Sequence, residues 1–300
     1  MQYAPLDYIV TPKGNRISYK GMKAFMVERD GLDKTGFWDA YDFLREHFKY
    51  YIHAQSSAQV AVYYPHASRA TGVASPYRET ILAEQCLLQH GLSYDCAFDD
   101  HLDDLGRYAV LVMAGTECLE EKQAEHIRRF VKNGGGVVMV GRCGIFDGWR
   151  RRWGNSILAD LAGPRVVRLE DLQGAAFERD SYDDSKWKLP SNSKDFIKAV
   201  RKAAGSIKLP AVQAPLSMTM EITRKPSTHE LLVHLINFNI DKKTGRVKIQ
   251  VPLKDGEKIA NVTAYAPSSK ASVTWKSTGG MLEATIKDID IYCLLVASLK

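Results

Sequence analysis

The chain is 300 residues long, 45% hydrophobic and 25% charged, the makeup of a soluble globular protein with length enough for two domains. A net charge of +6 is modest for that length, and the basic residues are spread rather than striped, which argues against a nucleic-acid partner. No apolar run approaches the ~20 residues that cross a bilayer, and the first residues lack a signal-peptide core, so the expected location is cytoplasmic with no membrane partner.

The five cysteines, at positions 86, 96, 118, 143 and 293, form no C-x-x-C pair and do not alternate with histidine. That speaks against a structural zinc site and against a disulfide framework. No metal and no other cofactor is expected.

Residues 1 to 35 carry Pro5, Pro12, Gly14, Gly21 and Gly31 and have no clear period, so they read as an irregular lead-in. From Gly36 to Ala54, Phe37, Tyr41, Leu44, Phe48 and Tyr51 recur at helical spacing and predict an aromatic-faced helix. The face of Phe37, Tyr41 and Phe48 is expected to find no partner within the chain and so to promote self-association.

Val60 to Tyr64 reads as a strand, and Ser75 followed by Pro76 as the cap and first position of a helix reaching about His90. Gly91 leads into a strand from Ser93 to Phe98. The run Asp99-Asp-His-Leu-Asp-Asp104 has the composition of a metal site, but it lacks the glycine turn and bidentate glutamate of a calcium loop and reads as solvated. A strand from Ala109 to Ala114 follows, then a helix from Leu119 to Lys132 with Ala124, Ile127, Phe130 and Val131 on its buried face. Gly134 to Gly136 stop that helix, and Val137 to Val140 form a continuous apolar strand of the kind covered on both faces. This alternation predicts a flavodoxin-like, doubly wound parallel sheet, with 60–64, 109–114 and 137–141 as parallel neighbours.

Ile157 to Gly163 reads as a short helix, residues 168 to 193 as a polar excursion, and Phe196 to Ala204 as a further helix. From about Pro210 the period becomes two. Leu216 to Ile222, Leu231 to Phe238, Arg246 to Val251, Ala260 to Ala264, Ser272 to Trp275, Leu282 to Ile286 and Ile291 to Ala297 predict an all-β sandwich. The expected division is 1–57 for the lead-in and aromatic helix, 58–210 for the α/β domain and 211–300 for the sandwich.

Ligands of open α/β sheets lie outside the carboxyl ends of the strands, where this sequence has Gly141-Arg-Cys-Gly144, then Asp147, Trp149, Arg150-Arg-Arg152 and Trp153. Arg142, Cys143, Asp147 and Trp149 are expected to cluster. Arg142 suits a carboxylate or a sugar hydroxyl, Trp149 suits a pyranose face, and the tryptophans flank a basic triplet suited to a sugar acid. Against this stand an Arg142–Asp147 ion pair that ties down the loop, and a solvated loop anchored by Trp149 and Trp153. Cys143 is the candidate nucleophile, but no histidine lies between His126 and His229, leaving only His66 and His101 at other strand ends. A thiol without a base keeps a pKa near 8.5, which favours a structural role.

Four segments stand in a characteristic order: Gln59-Val-Ala-Val-Tyr-Tyr64 behind the aromatic helix, Tyr108-Ala-Val-Leu-Val-Met113, Phe130-Val-Lys-Asn-Gly-Gly-Gly136 before Arg142-Cys-Gly-Ile-Phe-Asp147, and Leu232-Val-His-Leu-Ile-Asn-Phe238. Over roughly residues 36 to 300 this order resembles the class I glutamine-amidotransferase-like domain of the β-galactosidase trimerisation region, with its C-terminal sandwich, in certain glycoside hydrolases. The resemblance implies a homo-oligomer, a neighbouring catalytic barrel as partner and a carbohydrate ligand. Such a barrel needs about 250 residues; the carboxylate pair of glycoside hydrolysis belongs to it and has no matching position here. The resemblance also puts Cys143 where active amidotransferases carry their nucleophile. Three functions follow: a noncatalytic accessory and oligomerisation region of a glycoside hydrolase-like protein, a Cys143-dependent hydrolase or amidotransferase-like enzyme, and a sugar-binding module.

Overall fold

The computed structural model describes residues 8–10, 16–18, 37–71, 74–173, 189–239, 241–267 and 271–300. The rest of the lead-in, and most of the excursion expected over 168–193, lie outside the described residues. Within the lead-in, β1 (Tyr8–Val10) and β2 (Arg16–Ser18) pair antiparallel.

Helix α1 (Phe37–Glu46) is followed by a 3-10 turn, Phe48–Tyr50, so the aromatic segment is two short pieces rather than one helix to Ala54. The break at His47 turns the buried side toward Phe43 and Tyr50, 5% and 6% exposed, and leaves Leu44 exposed. Phe43 and Tyr50 pack on Leu232, Leu294 and Val296 of the C-terminal β part. The segment thus packs on the β part through Phe43 and Tyr50, which lie outside the face of Phe37, Tyr41 and Phe48.

After β3 (Gln55–Ser56) come β4 (Val60–Tyr64), α2 (His66–Ala70), α3 (Ala74–Gln89), β5 (Tyr94–Phe98), β6 (Val110–Ala114), α4 (Glu121–Lys132), β7 (Gly136–Val140), β8 (Val166–Leu169) and α5 (Ser193–Ala204). One five-stranded sheet runs β5-β4-β6-β7-β8, parallel throughout. The three predicted neighbours are adjacent and parallel. β6 and β7 are buried at every position because both faces are covered: Leu82, Cys86, Phe196 and Val200 of α3 and α5 pack on one, Ala124, Ile127 and Phe130 of α4 on the other. Gly136 permits the close approach of α5, since a Cβ there would stand 2.0 Å from the Ala203 carbonyl oxygen. Arg165 holds the same corner, its Nε donating to Ala203 O at 2.6 Å and its Nη2 to Ala109 O at 3.1 Å.

Two readings fail here. Residues 157–160 form turns rather than a helix, and Val166–Leu169 is a fifth strand that the sequence reading ran into the polar excursion.

The remaining strands are β9 (Ala211–Gln213), β10 (Met218–Lys225), β11 (Glu230–Asn237), β12 (Arg246–Pro252), β13 (Ile259–Tyr265), β14 (Val273–Thr278), β15 (Met281–Lys287) and β16 (Tyr292–Leu299). They form antiparallel sheets in the orders β13-β16-β11-β10-β3 and β14-β15-β12-β9, with Met220, Val233, Ile249, Leu282 and Leu295 among the side chains between them. All seven predicted strands are present; β3 and β9 are additional. β11 and β16 are apolar on both faces because α1 covers the side that the sandwich core does not. The architecture is an α/β part followed by a β part. Among the described residues no helix is long and apolar enough to cross a membrane.

Candidate functional site

The loops after β6 and β7 meet at the carboxyl edge of the parallel sheet. Backbone bonds join them: Gly144 N donates to Thr116 O at 2.8 Å, Ile145 N and Phe146 N to Glu117 O at 3.0 Å each, and Leu119 N to Phe146 O at 2.9 Å. Gly141 and Gly144 sit at φ +64° and +61°, a conformation glycine adopts without the Cβ penalty of other residues. The tight turn expected there is present.

Its centre is Glu117, which sequence reasoning missed. The side chain is only 2% exposed, and its two carboxylate oxygens accept from Arg142 Nη2 at 2.6 Å and Arg150 Nη2 at 2.9 Å. The Arg150 guanidinium also lies 4.6 Å from the centre of the Phe146 ring, and its backbone is held at φ +60°, a region costly for a side-chain-bearing residue. Nearby, Ser68 Oγ accepts from Cys118 N at 2.8 Å and donates to Cys118 O at 3.3 Å.

The Arg142–Asp147 pair is not formed. Asp147 instead accepts from Trp149 N at 3.0 Å, Arg151 N at 2.8 Å and Arg151 Nε at 2.6 Å. Burial raises the Asp147 carboxyl, but these bonds from Arg151 and Trp149 outweigh it and leave the pKa below the ordinary carboxylate range. Trp149 is 83% exposed and anchors nothing, whereas Trp153 is partly covered and donates through Nε1 to Leu119 O at 3.3 Å. Asp147 and Trp149 thus meet only through the Trp149 backbone N–H, and Arg142 pairs with Glu117 instead of either.

Cys143 points into the core. It is 5% exposed, and its Sγ donates to Met113 O at 3.3 Å and Val140 O at 3.6 Å. Burial pushes its pKa up to about 12. No imidazole is among these partners; His101 Nδ1 accepts from Phe98 N at 3.2 Å, and His229 caps a turn of the β part at φ +53°. Among the described residues no group of His, Cys, Asp and Glu is placed to hold a metal ion, and Asp99 is used by Tyr63, whose hydroxyl donates to it at 2.6 Å.

A second polar cluster lies in the β part, where only a close-packed core was expected. Tyr51 Oη and Tyr292 Oη are 3.0 Å apart, Tyr292 Oη and His234 Nδ1 2.7 Å, and His234 Nε2 and Thr223 Oγ1 3.1 Å. The alternation of β10 and β11 put Thr223 and His234 on one face; nothing in the sequence put Tyr51 beside them.

No family model matches the chain, and no curated protein matches it. Its fold is shared with parts of two larger solved structures. One is titled alpha-L-fucosidase isoenzyme 2 from Paenibacillus thiaminolyticus, with a TM-score of 0.57 at 14% identity over 87% of this chain and 51% of that one. The other is titled beta-galactosidase from Bacillus circulans sp. alkalophilus, with a TM-score of 0.53 at 14% identity over 82% of this chain and 42% of that one. The present chain therefore spans about half the length of these structures or less.

Proposed function

We propose that the chain is a noncatalytic accessory and oligomerisation region of a carbohydrate-active, glycoside hydrolase-like protein, working beside a catalytic barrel carried by a further region or a separate chain. The observation that carries this reading is the α/β-plus-β architecture itself, shared over most of the chain with about half or less of the named fucosidase and β-galactosidase. In this reading the parallel sheet is a flavodoxin-like unit of the class I glutamine-amidotransferase type. The strand order β5-β4-β6-β7-β8, which is second-first-third-fourth-fifth along the sheet's own strands, supports it.

The buried, protonated Cys143 fits a noncatalytic role. For association, the carboxyl edge of the sheet exposes Tyr77, Phe98 and Trp149, and Arg69 stacks on Tyr64 and Tyr77 at 4.5 and 5.4 Å. Aromatic residues with arginine are the composition of interface anchors. The division into 1–57, 58–210 and 211–300 is retained with one change of emphasis: α1 and β3 belong by packing to the β part. The reading places the chain in the cytoplasm, where the free thiols of Cys86, Cys96, Cys118, Cys143 and Cys293 stay reduced.

The test is turnover. The isolated chain is expected to leave aryl glycosides intact, and hydrolysis abolished by a single carboxylate substitution overturns the reading. A sugar-binding role is favoured by one observation, the exposed side chain of Trp149 on the loop after β7. It is checked by sugar titration of tryptophan fluorescence, with W149A as control.

A further inference from the structure

The smaller β-sheet, β14-β15-β12-β9, turns Val247, Ile249, Leu282, Ala284 and Ile286 to the sandwich core. Side chains alternate along a strand, so Arg246 and Lys248 of β12, Lys276 of β14 and Lys287 of β15 stand on the outer face. In the sequence these cations are spread; the strands gather them. The register sets uncharged groups between them: Lys248 lies beside Gln213 and Thr285, and Thr285 beside Thr274. In the next row Glu283 is held by Lys276 Nζ at 3.0 Å and accepts from Gln250 Nε2 at 3.5 Å. The two rows line a cleft of about 490 Å³, within the size range of ligand sites. Arg246 and Lys287, both exposed, stand directly opposite each other. Like charges so placed destabilise a sheet, and an anion seated between them turns that repulsion into attraction.

We propose that this face binds a linear polysaccharide whose sugars carry carboxylates, a polyuronate. Arg246 offers a planar fork to a carboxylate, and Lys248 and Lys287 offer point charges. Gln213, Gln250, Thr274 and Thr285 both donate and accept, which suits the hydroxyls between the charges. A nucleic acid fits less well, because single strands are held by bases stacked on aromatic rings, and the one aromatic residue of these four strands, Trp275, packs against the core. The face belongs to the β part and does not depend on the function proposed above.

The test is calorimetric titration of the full chain, at low ionic strength, with hexagalacturonate and separately with its fully methyl-esterified, uncharged form. Saturable binding of the acid, at least ~tenfold tighter than the ester, is the expected result; tenfold corresponds to ~1.4 kcal/mol. The paired variant Arg246→Gln with Lys248→Gln, both at exposed positions, is expected to weaken the acid by a similar factor. Lys287→Glu is expected to weaken binding while raising the thermal midpoint, since it replaces the opposed cations with a cross-strand ion pair. The proposal is overturned by any of five results: no saturable binding up to ~1 mM, equal affinity for the ester, a thymidine oligonucleotide of equal charge binding as tightly as the acid, undiminished binding by the paired variant, or a K287E midpoint that does not rise.

Discussion

Replacing Glu117 by glutamine removes the charge that joins the loops after β6 and β7 while keeping the shape of the side chain. A hydrogen bond to a charged group contributes about 1.5–3 kcal/mol when buried, and the Arg150 bond, with the arginine 26% exposed and Glu117 2% exposed, falls near the lower end. Arg142 is 59% exposed, so solvent reduces its share to roughly 0.5 kcal/mol. The expected loss for E117Q is therefore about 2 kcal/mol. With an m-value of about 2–3 kcal/mol per molar urea, the unfolding midpoint of the α/β part falls by somewhat under ~1 M. R142Q is expected to cost no more than ~0.5 kcal/mol. The reasoning is refuted by an E117Q midpoint indistinguishable from that of the unmodified chain, or by an R142Q loss as large as that of E117Q.

Three further outcomes are expected. Burial raises the thiols of Cys86, Cys143 and Cys293 to about 12 each, above the unfolded value. Their contribution is full below about pH 8.5 and lost as pH rises towards 12, at up to ~1.4 kcal/mol per pH unit per thiol; urea midpoints measured upward from pH 8 should fall, and native Cys143 should resist iodoacetamide while exposed Cys96 reacts. His234, lowered to about 4, keeps its contribution above its unfolded value near 6.5 and loses it as pH falls from there to about 4, up to about 3 kcal/mol in all; H234Q should flatten that limb of the stability profile. Phe43→Ala should cost about 3 kcal/mol through the cavity left against Leu232, Leu294 and Val296, and a thermal midpoint unchanged by F43A would mean that α1 does not dock there.

Strands such as Glu230–Asn237 and Tyr292–Leu299 were legible as continuous apolar runs of strand length bounded by turn residues. The same logic identified β4, β6 and β7 and their neighbour relations. Short strands were not legible: Gln55–Ser56 and Ala211–Gln213 exist only because β10 and β12 offer them edges, and Val166–Leu169 because β7 does. The aromatic segment was recognised, but the residues that dock it, Phe43 and Tyr50, were not, because the face was drawn through Phe37, Tyr41, Leu44, Phe48 and Tyr51. At the candidate site the glycine-bounded turn was readable from Gly141 and Gly144. Glu117 was not, since a single glutamate after a strand carries no pattern, and its partners are chosen by backbone bonds between loops some 25 residues apart in sequence.

The central claim is that the chain is an association region rather than an enzyme, and sedimentation equilibrium at micromolar concentration tests it most directly. The account predicts an integral multiple of 33.6 kDa, shifted to the single-chain mass by a charge placed in the sheet-edge patch, as in Phe98→Glu. A strict monomer across that concentration range would contradict it.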